Sequence, residues 1–117
     1  MRGERIEIYL KEQKINRVYI WKNSELHSVI DSTLMKEDVL KGHEIFITFE
    51  DDSVRQVMAK KNAIGRYHVE EGDDKGLNYV TADSLILFID KNRVDSIYVA
   101  GGAEGTYYPE DKMEDAP

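Results

Sequence analysis

His27, His43 and His68, the acidic runs Glu50-Asp51-Asp52 and Glu70-Glu71-Gly72-Asp73-Asp74, and the segment Gly101-Gly102-Ala103-Glu104-Gly105 hold the residue types in this chain that could do chemistry. Histidines bind transition metals when they recur at ligand spacing beside other donors. These three fall at unrelated intervals and read as strand residues. A calcium loop alternates oxygen ligands and ends on a bidentate glutamate. Neither acidic run has that order, so both read as solvated turns. A phosphate loop needs a Gly-Lys-Ser/Thr step opening a helix, and none follows Gly105, which suits a close-packed corner better. Serine, histidine and aspartate occur, but nothing suggests a nucleophile elbow. Cysteine is absent, which removes disulfides and thiolate chemistry. The expectation is a protein that is not an enzyme and takes no metal or cofactor.

Elements that would position such residues announce themselves by repetition. Gly3-Glu4-Arg5-Ile6-Glu7-Ile8-Tyr9-Leu10 returns as Gly42-His43-Glu44-Ile45-Phe46-Ile47-Thr48-Phe49 and again as Ala82-Asp83-Ser84-Leu85-Ile86-Leu87-Phe88-Ile89, at offsets of 39 and 40 residues. Both offsets hold through the corner, where Asn23-Ser24 matches Asn62-Ala63 and Gly102-Ala103. A fixed period of this length marks a stacked array, in which each unit buries its apolar face against the next. The units run over residues 3–41, 42–81 and 82–109, within one domain of residues 1–109, and 110–117 form a polar tail expected to be disordered.

Inside each unit the period is two, as in a strand with one core-facing and one solvent-facing row. Ile6, Ile8 and Leu10 alternate with Arg5, Glu7, Tyr9 and Lys11; Ile45, Ile47 and Phe49 hold the same slots in the second unit, and Leu85, Leu87 and Ile89 in the third. Polar turns follow at Lys11–Lys14, Glu50–Ser53 and Asp90–Arg93, with residues that suit a tight reversal. The chain resumes with Ile15-x-x-Val18-x-Ile20, Val54-x-x-Val57-x-Ala59 and Val94-x-x-Ile97-x-Val99. The two-residue gap implies a bulge or the end of the turn. A third short strand is expected at Glu25–Ile30, Ile64–Val69 and Glu104–Pro109, where Tyr67 and Tyr107 occupy equivalent slots that could wall one side of the body. The connector Asp31–Lys41 has partly helical spacing, but its Val39-Leu40 aligns with Tyr79-Val80 beside a strand-like segment, which favours strand. Glu70–Gly76 reads as a loop. Trp21, Tyr9, Tyr19 and Tyr98 fall in the outward phase, covering the back of the sheet or facing a partner.

The inward slots Ile6, Ile8, Leu10, Val18, Ile20, Ile45, Ile47, Phe49, Val57, Leu85, Leu87, Ile89, Ile97 and Val99 would stack into a continuous apolar strip along an elongated, all-β body of antiparallel hairpin repeats. Such a strip is either closed core or an open groove for an apolar chain, and the two ends of the stack are open strand edges. Net charge is −7, which leaves no basic stripe for nucleic acid. No apolar run is long enough to span a bilayer as a helix. The first unit lacks the lead-in that Glu37–Lys41 and Leu77–Thr81 supply to the other two, and no secretory signal precedes it. The chain is therefore expected to be a piece of a longer one.

Ala82–Val99 followed by Gly102-Ala103-Glu104-Gly105-Thr106-Tyr107-Tyr108 resembles the repeat of OstA-like proteins, the lipopolysaccharide-transport β-jellyroll (β-taco) domains, in their Bacteroidetes-type branch. Lys61-Asn62-Ala63-Ile64-Gly65-Arg66-Tyr67 fits the same pattern, and Asn23-Ser24-Glu25-Leu26 fits it more loosely; the likeness covers residues 3–109. It implies a twisted, V-shaped slot of antiparallel strands in the periplasm of a Gram-negative bacterium. Acyl chains of lipopolysaccharide or a related lipid would lie against the inner face, and similar domains, or a second copy, would join end to end by strand pairing towards the outer membrane. The alternative is a structural or protein-interaction β-array that assembles through its open edges without lipid.

Overall fold

The computed structural model describes residues 1–31, 36–71, 74–90 and 93–117. Seven strands form one antiparallel sheet: β1 (Arg5–Lys11), β2 (Lys14–Asp31), β3 (Lys36–Glu50), β4 (Ser53–Glu71), β5 (Asp74–Asp90), β6 (Arg93–Ala100) and β7 (Glu104–Pro109). The first six follow one another across the sheet in sequence order, and β7 pairs with the far half of β5. A 3-10 helix, Glu110–Asp115, lies in the tail that was expected to be disordered, with acidic residues in its first turn. Its contacts are with β5 and β7.

Residues about forty apart do lie over one another. One cross-strand row runs Ile8, Val18, Ile47, Val57, Leu87 and Ile97; its neighbour runs Ile6, Ile20, Ile45, Ala59, Leu85 and Val99. The opposite face carries Tyr19, Phe46, Met58, Ile86 and Tyr98 in one row. The period-two alternation thus sorts the strands into two faces, as pleating requires.

The two-residue gap after each turn is a bulge. Pairing skips Asn16 in β2, Arg55 in β4 and Asp95 in β6, at positions again 39 and 40 residues apart. The turns are tight: Glu12 and Gln13 have φ of 53° and 68°, Asp51 and Asp52 of 51° and 63°. Two consecutive left-handed residues match the twist of a two-residue hairpin, where Asn-Gly is favoured. The third turn, Lys91-Asn92, lies outside the described residues. Replacing Glu12-Gln13 with Asn-Gly is expected to stabilise by about 1 kcal/mol, by relieving left-handed strain at side chains that tolerate it poorly. Thermal unfolding should register a rise of roughly 4 °C or more; an unchanged Tm would mean that the turn carries no such strain.

Each long strand bends once. Lys22-Asn23 and Lys61-Asn62 have φ between 53° and 64°, and Gly101-Gly102 φ of 85° and 58°. The two Lys-Asn pairs coincide with breaks in register, and Gly101-Gly102 lies between β6 and β7. In the first two units the strand continues through the bend, so the expected third strands are the far halves of β2 and β4. Only at Gly101-Gly102-Ala103, where the backbone makes no ladder, is there a separate strand. Inside the bend, Gly42 is closely packed: a Cβ would stand 3.2 Å from Ala59 Cβ and from Lys60 O. Ser24, fully buried at the same corner, donates its hydroxyl to Ile20 O at 2.9 Å, with His43 O 3.2 Å away.

The bends fold the sheet into two arms. Gly65 pairs with Val80, five residues from Leu85 along β5, a separation of about 16 Å in a straight strand. A Cβ on Gly65 would nonetheless lie 2.9 Å from Leu85 Cδ1. The shared core draws Val18, Ile20, Ile45, Ile47 and Val57 from the first arm and Leu40, Ala63 and Val80 from the second. The loop expected over Glu70–Gly76 is largely ladder instead, with Val69, Glu70 and Glu71 pairing Gly76, Lys75 and Asp74; Gly72-Asp73 lie outside the described residues. The connector is strand from Lys36 onward, as favoured, and residues 32–35 lie outside the described residues.

Candidate functional site

A cleft of about 900 Å³ opens where the arms diverge, near the upper end of the range for small-ligand sites. Leu85, Leu87 and Ile97 line it from the first arm; Leu26, Val39, Leu40, Gly65 and Val69 line it from the second. Polar groups enter at Asp38, Tyr67, His68, Asp95 and Ser96. Asp95 is the bulged residue of β6, and a bulge re-aims the side chain it carries.

The second arm splits beside the cleft. Pairing of β3 with β4 stops at Val39↔Arg66, whereas β2–β3 continues to Asp31↔Lys36 and β4–β5 to Glu71↔Asp74. Past that point the ribbons separate, and backbone groups on the facing edges lose strand partners. Asp38 bridges the gap: its Oδ1 accepts a hydrogen bond from the His68 backbone N–H at 2.8 Å and lies 3.1 Å from His68 Nδ1.

Asp38, His68 and Ser96 are the residue types of a hydrolytic triad, and here they line one cleft. An Nδ1–H donated to Asp38 would orient the ring as an acid–base histidine is oriented. Among the described residues, however, no hydrogen bond joins His68 to the Ser96 hydroxyl, so the nucleophile half of that arrangement is unformed. No cluster of three or more His, Cys, Asp or Glu residues suited to a metal occurs among the described residues.

Position in the stack divides the inward slots read from the sequence. Val18, Ile20, Ile45, Ile47, Val57 and Leu85 are buried, while Phe49, Leu87, Ile89, Ile97 and Val99 are half-buried against them. Ile6, Ile8 and Leu10, on the edge strand β1, are 42%, 54% and 65% exposed. Of all these, only Leu85, Leu87 and Ile97 reach the cleft. Its opposite wall comes from the far halves of β2, β3 and β4, where the signal was the weaker alternation Ala63, Gly65, Tyr67, Val69. Tyr67 does wall the cleft, whereas the ring of Tyr107, about half exposed, covers Gly76.

The back of the first arm interleaves rings with cations. Arg5 lies 5.1 Å from the Trp21 ring, Arg17 4.9 Å from Tyr9 and Lys60 5.6 Å from Phe46. Tyr9 and Tyr19 hold their protons above the ordinary phenol range, Tyr9 chiefly through its hydrogen bond to Glu7 and Tyr19 chiefly through burial, with Glu44 adding to it. These contacts cover the sheet's outer face and lie on the side away from the cleft.

At the corner, the Lys41 ammonium, 3.2 Å away, holds the Glu25 carboxyl below the usual carboxylate range, with His27 and Arg2 assisting. A depressed carboxyl pKa stabilises the fold above the unfolded value and ceases to do so as pH falls through the folded one. Glu25→Gln is therefore expected to lower stability at pH 7 by about 0.5 kcal/mol. The deficit should shrink below about pH 4 and vanish once Glu25 is protonated in both states. Paired melting curves across that range check it, and a pH-independent deficit would assign the loss to packing.

No family model, curated protein or solved structure matches the chain.

Proposed function

We propose that this chain is a non-enzymatic lipid-carrying module. Acyl chains of lipopolysaccharide or a related lipid lie in the cleft between the arms, and similar domains join it end to end in a periplasmic bridge to the outer membrane. The observation that carries this reading is the cleft of about 900 Å³ with apolar walls contributed by both arms. A folded sheet whose inner rows recur from unit to unit can pass a tail from rung to rung without a single tight site, because apolar contact is non-directional. The likeness of Ala82–Tyr108 to OstA-like repeats points the same way and supplies the lipid, the compartment and the V-shaped β-jellyroll description.

The test is a photo-crosslinking amino acid placed at Leu87, in the cleft, and at Ile86, its neighbour on the opposite face. Lipopolysaccharide is expected to crosslink at 87 and not at 86, and a neutral soluble sugar at neither. Equal or absent lipid crosslinking at both positions would remove the reading.

A second reading is favoured by the edge strand. Ile6, Ile8 and Leu10 stand exposed on β1 beside an unpaired backbone edge, a template for strand addition. A β-array that binds only protein would assemble through that edge with no dependence on lipid, and sedimentation with and without lipid separates the two.

A further inference from the structure

Charge at the cleft narrows what can occupy it. Among the described residues, the walls hold two carboxylates, Asp38 and Asp95, and no lysine or arginine. Asp38 commits Oδ1 to His68, which leaves Oδ2 as an acceptor without a hydrogen-bond partner among the described residues. Asp95 is exposed on its bulge, beside the exposed Ser96. The molecule around them carries a net charge of −7, so its long-range field adds to the local one, and a cleft with low-dielectric walls focuses both.

From this juxtaposition we infer that the cleft selects amphiphiles bearing a cationic or amine group where tail meets head, and disfavours those presenting a bare phosphate or sulfate there. The tail lies between Leu40, Gly65 and Leu87, and the ammonium meets Asp38 and Asp95 at the polar boundary. A phosphate at the same depth meets two carboxylates and, among the described residues, no lysine or arginine, so an anionic lipid enters only with that charge offset by an amine substituent or a counter-cation. The inference rests on the lipid-carrying reading and names the head-group chemistry of its cargo.

Three single-chain probes with one tail length separate the possibilities: dodecyltrimethylammonium, dodecyl maltoside and dodecyl sulfate, each below its critical micelle concentration, titrated into the full chain by calorimetry. The ammonium probe is expected to bind about tenfold more tightly than the maltoside, and the sulfate most weakly. One carboxylate near the probe charge in a solvated setting is worth a factor of about five. D95N should therefore cut the ammonium preference about fivefold without altering maltoside binding, and added salt should erode it. D111N removes the same charge from the exposed tail helix and is expected to leave the preference unchanged.

Equal binding of all three probes, or tightest binding of the sulfate, overturns the inference and leaves the lipid slot standing. An equal effect of D111N and D95N also overturns it, by assigning the preference to net charge alone. Binding of none of the probes removes the lipid-carrying reading itself.

Discussion

Gly65→Leu is expected to reduce lipid binding tenfold or more while the protein still folds. Gly65 sits on the cleft wall between Leu40 and Val80, and its missing side chain is part of the open space. A leucine there would project towards Leu85, whose Cδ1 lies 2.9 Å from the new Cβ position. The obstructing atom is the end of a flexible side chain, so Leu85 can turn aside at an overpacking cost of about 1–3 kcal/mol. The repeat itself argues that the fold tolerates the change, because the equivalent slot one unit earlier is Leu26, half-buried on the same cleft. Displacement of a fluorescent lipid alongside a melting curve reads both effects. A folded Gly65→Leu protein that binds as wild type would show that the cleft is not where lipid lies. Gly65→Ala adds a single methyl and should fall between the two.

The same position shows what the sequence could and could not disclose. The first arm was legible residue by residue, since Ile8, Ile47 and Leu87 repeat one alternation at offsets of 39 and 40, and stacking packs each unit's row against the next. The bulges at Asn16, Arg55 and Asp95 were foreshadowed by the broken alternation after each turn. The second arm was not legible in that way. Leu26 and Gly65 fill equivalent slots on the cleft with opposite consequences for volume, and a pattern of apolar spacing does not register a cleft made by missing atoms.

Two further features depend on geometry that no local pattern encodes. The corners at Asn23-Ser24 and Asn62-Ala63 could be read from the repeat, but their conformation could not, because nothing about Lys22-Asn23 or Lys61-Asn62 requires left-handed backbone, although asparagine tolerates it. The split between β3 and β4 is bridged by one carboxylate: Asp38 accepts a hydrogen bond from the backbone N–H of His68, thirty residues on. Only the fold brings those two together, so the polar boundary of the cleft was invisible where its apolar wall was half visible. The pairing of Val69–Glu71 with Asp74–Gly76 has a similar origin. Acidic and glycine residues suggested a loop, but cross-strand pairing of β4 with β5 outweighs local preference there, as tertiary context commonly does in sheets.

Periodicity is also blind to where a unit stands in the stack, and this sets up the sharpest mutational contrast. Ile8 and Ile47 are equivalent by repeat and lie in one cross-strand row with Val18 between them. Ile47 is 3% exposed and Ile8 54%. Ile47→Lys would place an unpaired ammonium in the shared core, a penalty of several kcal/mol against a total stability of about 5–15 kcal/mol. That variant is expected to be largely unfolded at 37 °C by circular dichroism. Ile8→Lys should change stability by no more than about 0.5 kcal/mol, since it alters a surface that water already reaches. Its effect belongs to assembly: a lysine on an edge strand blocks strand addition, and with Ile6→Lys beside it the apolar seam that a neighbouring domain would cover is gone. Sedimentation of the wild type is expected to show concentration-dependent end-to-end species that the Ile6→Lys/Ile8→Lys protein lacks at an unchanged Tm. If the double variant assembles as the wild type does, joining through β1 is excluded. If it melts several degrees lower, the edge row contributes to the monomer's own core rather than to a seam for a partner.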